Sequence, residues 1–283
     1  MSKIGLLVCG NSGIDYIDHP YDIPVIRSIL FVGENEYSDY VDIQADEFYQ
    51  MLEDDPSLTP STAQAATGVI LEQYKEMVAK GYDQLLVVSI SQKLSGTYEG
   101  CMLAAKMLDD VEVRVFDSKS VSYPEAKMIL DAAKMVEEGK TMDEIWAHLE
   151  HLRDNHRILF SVETLRYLVK NGRLSGASGF VGSMLKIKPM LEVTKDGRVE
   201  AIEKIRTLPK ATNRLIEKFL EELGDQDVEV FVIEAKAMDR AKTVIAAIQA
   251  ARPDLKEIKT YPLTPVVGAH AGPGVIGIGY IVK

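Results

Sequence analysis

Between an apolar run at 85 to 90 and a helical pattern from 97 lies Ser89-Ile90-Ser91-Gln92-Lys93-Leu94-Ser95-Gly96-Thr97-Tyr98. In an open parallel sheet, the loop at a strand's carboxyl end is where ligands settle, and the next helix offers free N–H groups and the positive end of its dipole. Ser95 and the Gly96 backbone are therefore candidates to hold a carboxylate or phosphate oxygen. Simple capping of the helix by Ser95 is the competing reading. The text returns at Arg173-Leu174-Ser175-Gly176, after Asn171-Gly172. Two cation-Leu-Ser-Gly turns would bring two segments to one anion, and Arg173 would grip it with a planar fork that Lys lacks. Chance recurrence is the alternative.

Two further segments carry hydroxyl or imidazole groups. Pro60-Ser61-Thr62-Ala63-Gln64 precedes a helical stretch, so the Thr62 hydroxyl is expected at a helix start, where capping again competes. His270 lies in Gly268-Ala269-His270-Ala271-Gly272-Pro273-Gly274, which reads as a small-residue loop before the last strand. Glycines there permit close backbone approach to a ligand, and an imidazole can donate to an anion. Asp117-Ser118-Lys119 follows a strand and reads either as part of the same cleft or as an ordinary Asp turn. His148 and His151 share a helix face without a third ligand, so no metal site is expected. Phosphate-loop, dinucleotide-binding, zinc-protease and nucleophile-elbow motifs are all missing.

The elements that must position these groups follow from periodicity. Strands are expected at 4 to 9, 85 to 90 and 112 to 116, with a weaker one at 24 to 32. Helices are expected at 45 to 53, 64 to 80, 97 to 108 and 124 to 138, and a capping box at Thr141 and Glu144 opens one reaching 154. After the polar stretch at 151 to 157 the pattern changes to a strand from 158, a helix to 170, a small-residue helix near 176 to 185, and a hairpin about Asp196-Gly197. Helices at 208 to 223 and 238 to 251 then alternate with strands at 228 to 233, 257 to 262 and 275 to 281. The expected fold is a two-domain α/β protein. Residues 1–157 form a mostly parallel sheet with flanking helices, and 158–283 an α+β domain with an antiparallel sheet.

Composition sets outer limits. The 283 residues carry a net charge of -11, with 46% hydrophobic and 27% charged residues. That charge opposes generic binding to nucleic acid or an acidic membrane. Residues 166 to 206 run the other way, with nine Lys or Arg against four acids, which suits an anionic ligand or an acidic partner face. Only Cys9 and Cys101 are present, both in apolar contexts, and a reducing cytoplasmic location is expected. The apolar opening is too short for a signal peptide and reads as a strand. No run approaches a bilayer span.

Taken together the segments resemble the DegV family of bacterial fatty acid binding proteins. The resemblance rests on Pro60 to Gln64, Ser91 to Tyr98, Val115 to Ser122, Thr164 to Ser175, Leu185-Lys186-Ile187-Lys188-Pro189 and His270 to Gly274, in family order. It implies a long-chain fatty acid as ligand and no other cofactor, with the carboxylate held in the cleft between domains by Thr62, Ser95 and Gly96, with Arg173 and His270 nearby. The acyl tail is expected in an apolar tunnel of the second domain. The resemblance also implies a lipid-presenting, non-catalytic role beside a separate fatty acid kinase subunit, for which Arg206 is a candidate partner or phosphate contact. This chain departs from the family pattern in having Asn11 where an Asp is usual, Ala63 where Ser is common, and Asn171-Gly172 for Gly-Gly.

Two other functions remain open from the residues. A serine-dependent acyl hydrolase would use Ser95 as nucleophile, His270 as base and Asp117 as orienter. A sensor with a DNA-binding module would need a basic recognition helix, which the sequence lacks.

Overall fold

A computed structural model describes residues 3–109, 111–176 and 187–283. The first strand, β1 (Ile4–Cys9), is buried at every position. The apolar run at 24 to 32 does not stay one strand: it splits into β2 (Val25–Ile26) and β3 (Ile29–Val32), which join different sheets. β4 (Asn35–Ser38) turns back on β3, and α1 (Ala45–Asp54) follows. Residues expected to open a helix form β5 (Ser61–Ala63) instead, and α2 begins only at Thr67 (Thr67–Ala79). Then come β6 (Gln84–Ser89), α3 (Thr97–Lys106), β7 (Glu112–Asp117), α4 (Tyr123–Glu137) and α5 (Met142–Asp154). The capping box at the head of α5 forms as the sequence requires, with Thr141 and Glu144 each satisfying the other's backbone N–H.

The remaining elements are β8 (His156–Ser161), α6 (Arg166–Lys170), β9 (Met190–Val193), β10 (Val199–Glu203), α7 (Leu208–Leu223), β11 (Val228–Glu234), α8 (Met238–Ala251), β12 (Lys259–Pro262), α9 (Pro265–Ala271) and β13 (Ile276–Val282). The small-residue helix expected near 176 to 185 falls almost wholly outside the described residues. The expected loop carrying His270 is the helix α9, started by the Thr264 hydroxyl, which accepts the Val267 N–H.

The described residues form three sheets. β2-β1-β6-β7 are all parallel, so their carboxyl ends share one edge. The six-stranded sheet runs β10-β9-β8-β13-β11-β12 and is antiparallel except where β12 lies parallel to β11. β4-β3-β5 form a small antiparallel sheet not anticipated from the sequence, in which Thr62 stands opposite Leu30.

The first and second halves of the chain are clasped together. The Ser91 hydroxyl donates to the Gly197 carbonyl at 2.8 Å, locking the β9–β10 hairpin onto the loop after β6. The Tyr49 hydroxyl donates to Leu263 O at 2.9 Å. One buried apolar cluster runs through both halves, joining Phe48, Leu86 and Phe116 to Phe160, Leu191 and Phe231. A second, between α7, α8 and the far face of the six-stranded sheet, contains Phe219, Val244 and Ile278.

Candidate functional site

The site grows from the carboxyl edge of the parallel sheet. After β6 the chain turns through Ser91 to Gly96, and the Ser95 hydroxyl lies 2.8 Å from that of Thr97 and 3.2 Å from the Thr97 N–H. Ser95 thus stands just outside α3, and its hydroxyl accepts the N–H of Thr97, the first residue of that helix, which is part of what the capping reading expected of it; Gly96 is the residue flanking the helix. The Gly96 backbone stays exposed beside the Gln64 side chain, and a Cβ at position 96 would collide with Gln64 Oε1.

Thr62 reaches the same place from the small sheet. Its Oγ1 lies 2.8 Å from His270 Nε2 on α9. Burial, reinforced by the positive Arg173, pulls the His270 imidazole from its ordinary value down to about 4. The ring is therefore neutral at pH 7, and its buried Nδ1 has no hydrogen-bond partner among the described residues.

Arg173 ties the two Leu-Ser-Gly turns together. Its Nε donates to Leu94 O at 3.0 Å and its Nη1 to Asn171 O at 2.6 Å. Both acceptors are neutral carbonyls, so neither of these bonds neutralises the guanidinium. Asn171 fixes the approach of α9 by donating from Nδ2 to Ala269 O at 3.0 Å.

Thr62, Ser95, Gly96, Arg173 and His270 all line one cavity of about 980 Å³, its open mouth included. Asn11, Ser28, Gln64 and Ser122 are further polar residues of its lining. The rest of the wall is apolar, with Ile158, Phe160, Val193, Val199 and Ile233 from the six-stranded sheet and Val266 from α9. Arg206 is exposed and does not line this cavity. A cavity that joins hydroxyls, a backbone N–H and a cation to a wall of uncharged apolar side chains fits an amphiphile with an acid head. Burying that head without such partners would cost several kcal/mol.

The arrangement needed for nucleophilic hydrolysis is not assembled. His270 Nε2 meets Thr62, Ser95 meets Thr97, and the Asp117 carboxylate accepts from the Lys119 N–H in its own turn and from the Gln92 N–H in the loop after β6. His148 pairs with Asp131 at 3.0 Å.

Sequence reasoning missed Ser28 and Ser122 as lining residues. Ser122 precedes α4 with φ 64°, a left-handed conformation unusual for a residue other than Gly, and its N–H donates to Asn11 O. It lies within the matched Val115 to Ser122 block; Ser28 had no local signal.

The sequence profile of the DegV family, described as a family of uncharacterised proteins, matches residues 15–283. The chain belongs to the DegV family. A DegV domain-containing protein of Halalkalibacterium halodurans is 34% identical over 262 residues, 92% of this chain and 91% of that relative. Among solved structures, a fatty acid binding DegV family protein from Thermus thermophilus superposes with TM-score 0.86 at 28% identity, covering 99% of this chain and 100% of that one. DegV from Bacillus subtilis, also a fatty acid binding protein, gives 0.85 at 28% identity with full coverage of both chains. The mixed α/β architecture is thus that of the DegV fold. No helix among the described residues is long and apolar enough to cross a membrane.

Proposed function

We propose that this protein binds one long-chain fatty acid and presents its carboxylate to a separate kinase subunit for phosphorylation. The observation that carries the binding is one cavity whose polar and apolar lining residues match the two parts of such a molecule. The tail supplies most of the affinity, at about 0.8 kcal/mol per buried methylene. The head is held by the Thr62 and Ser95 hydroxyls and the Gly96 N–H, within the field of Arg173. When His270 carries its proton on Nε2 and donates to Thr62, the Thr62 proton is left for the carboxylate. Residues 1–157 and 158–283 act as two domains in this reading, the second supplying the tunnel wall and both contributing to the head.

Presentation is supported by where the head lies. Gln64 and Gly96 are exposed at the polar end, so the carboxylate would sit at the open side of the cavity rather than its depth. There a carboxylate oxygen attacks the γ-phosphorus of ATP held by the partner, forming an acyl phosphate and releasing ADP. Nothing in this chain resembles a nucleotide-binding loop, so the chain itself contributes no catalysis. Arg206, exposed in the basic stretch, serves as a contact for the partner or the transferred phosphate. The expected location is the cytoplasm, where ATP and the partner are available.

Native mass spectrometry of the mildly purified protein tests the binding: one retained fatty acid per chain is expected, and a protein that neither retains nor takes up fatty acid overturns the reading. Addition of a fatty acid kinase subunit and ATP then tests presentation. Arg206→Ala is expected to keep the lipid yet lose partner-dependent acyl phosphate formation. A p-nitrophenyl ester cleaved by the wild type but not by Ser95→Ala would instead establish the hydrolase.

A further inference from the structure

The strand β13 carries the sequence Ile276-Gly277-Ile278-Gly279, and its alternation decides what each face of the six-stranded sheet receives. Ile276 and Ile278 pack into the cluster under α7 and α8. Gly277 and Gly279 face the other way, toward the cavity side, where side chains are simply missing. The register places Gly277 between Phe160 on β8 and Ile233 on β11, and Gly279 between Ile158 and Phe231.

The two gaps are treated differently. A Cβ at Gly279 would collide with the Phe231 ring and lie 2.5 Å from Arg157 O, so the protein's own ring fills that space. A Cβ at Gly277 would meet Phe160 and Ile233 at 3.6 Å, ordinary contact, and the residue has no positive φ. Neither protein packing nor backbone conformation therefore requires glycine at 277. Gly277 lines the cavity, as do Phe160, Ile233 and Ile158, whereas Phe231 is fully buried and does not. Phe231 is also held in place: its ring centroid is 5.0 Å from that of Tyr123, which stacks on Tyr261 at 4.1 Å.

We propose that Gly277 and Phe231 set the acyl-chain length this protein accepts, Gly277 as bare floor kept open for the tail and Phe231 as the stop that fills the next gap in the same strand. This rests on the fatty acid reading and specifies the ligand within it. A side chain at 277 shortens the channel, and a smaller one at 231 extends it over Gly279.

The test loads delipidated wild type, Gly277→Val, Gly277→Ala and Phe231→Leu with an equimolar mixture of saturated C14 to C20 acids and reads the bound set by native mass spectrometry, with thermal unfolding in parallel. The glycine variants are expected to shift toward shorter acids and Phe231→Leu toward longer ones, discriminating by roughly 10-fold to 200-fold for each methylene that no longer fits. Gly277→Ala introduces only ordinary contacts, so it keeps the test decisive if a larger change impairs folding. Folded variants that keep the wild-type profile overturn the assignment while leaving fatty acid binding intact. A wild type that takes up none of the acids overturns both.

Discussion

His270 and Thr62 stand 208 positions apart in the chain, yet the imidazole Nε2 lies 2.8 Å from the threonine hydroxyl. The pairing joins α9 to the edge strand β5, and with it the late part of the chain to the early part. It also fixes the orientation of the one hydroxyl that reaches the polar end of the cavity from the small sheet. Its consequences for binding and for pH can both be measured.

Thr62→Val keeps the shape of the side chain but removes its hydroxyl. A hydrogen bond to a charged group contributes about 1.5–3 kcal/mol, so affinity for a fluorescent fatty acid should fall roughly tenfold to a hundredfold. Chain-length preference should not change, because the tail is untouched. Unaltered affinity in displacement titrations would remove Thr62 from the head-binding set.

The imidazole makes stability depend on pH in a defined direction. In the folded protein His270 titrates at about 4, below its ordinary 6.5. Between those values the unfolded chain binds more protons, so stability is fully present above about pH 6.5 and declines as pH falls toward 4. The loss should be on the order of 1–3 kcal/mol. Comparing urea midpoints of wild type and His270→Asn at pH 7.5 and 4.5 isolates it: the difference between the two proteins should change across that interval. A bound carboxylate should also raise the His270 pKa, seen as a shifted titration of its ring signals by NMR.

The legible parts of this fold were those encoded locally. The Ser95-Gly96 turn could be read because a buried strand and a helix flank it within a few residues, and the α5 capping box because both its partners sit within one turn. Thr62 was misplaced because β5 has only three residues and its partner β3 is some thirty positions earlier, so no local period marks it. His270 was expected in a loop because Val-Val-Gly-Ala-His is a weak helix former. The helix forms because of packing: the Tyr49 ring fills the space where a side chain at Gly268 would lie. The apolar wall of the cavity depends on which face of β13 is bare, a property of sheet register rather than of any segment.

Gly96 should prove replaceable for folding but not for binding. Its φ of -73° suits any residue, so Gly96→Ala carries no backbone strain. The new methyl collides instead with the end of the exposed, flexible Gln64 side chain at the mouth of the cavity. Melting temperature should hold while fatty acid affinity drops, as the displaced amide crowds the head. Adding Gln64→Ala should restore much of that affinity; a double variant as weak as the single one would show that the methyl itself obstructs the carboxylate.

A buried acid, Asp39, faces α9 near its other end. Asp39 is 2% exposed, and burial, with a smaller push from Asp15, drives its carboxyl from the usual range to about 7 against the pull of Arg27. Arg27 is itself engaged by Asp15 through two hydrogen bonds of 2.7 and 2.8 Å. The Val266 N–H in the first turn of α9 adds a further pull on the Asp39 carboxyl toward the charged form. Because its folded pKa lies above the unfolded value, the native state holds the extra proton between about pH 4 and 7, and stability declines as pH rises through that window. Asp39→Asn keeps the size and shape of the side chain without the buried charge, so it should stabilise the protein at pH 8, on the order of 1–3 kcal/mol, and give little at pH 4. Equal melting temperatures for variant and wild type at pH 8 would show that Asp39 ionises there without penalty.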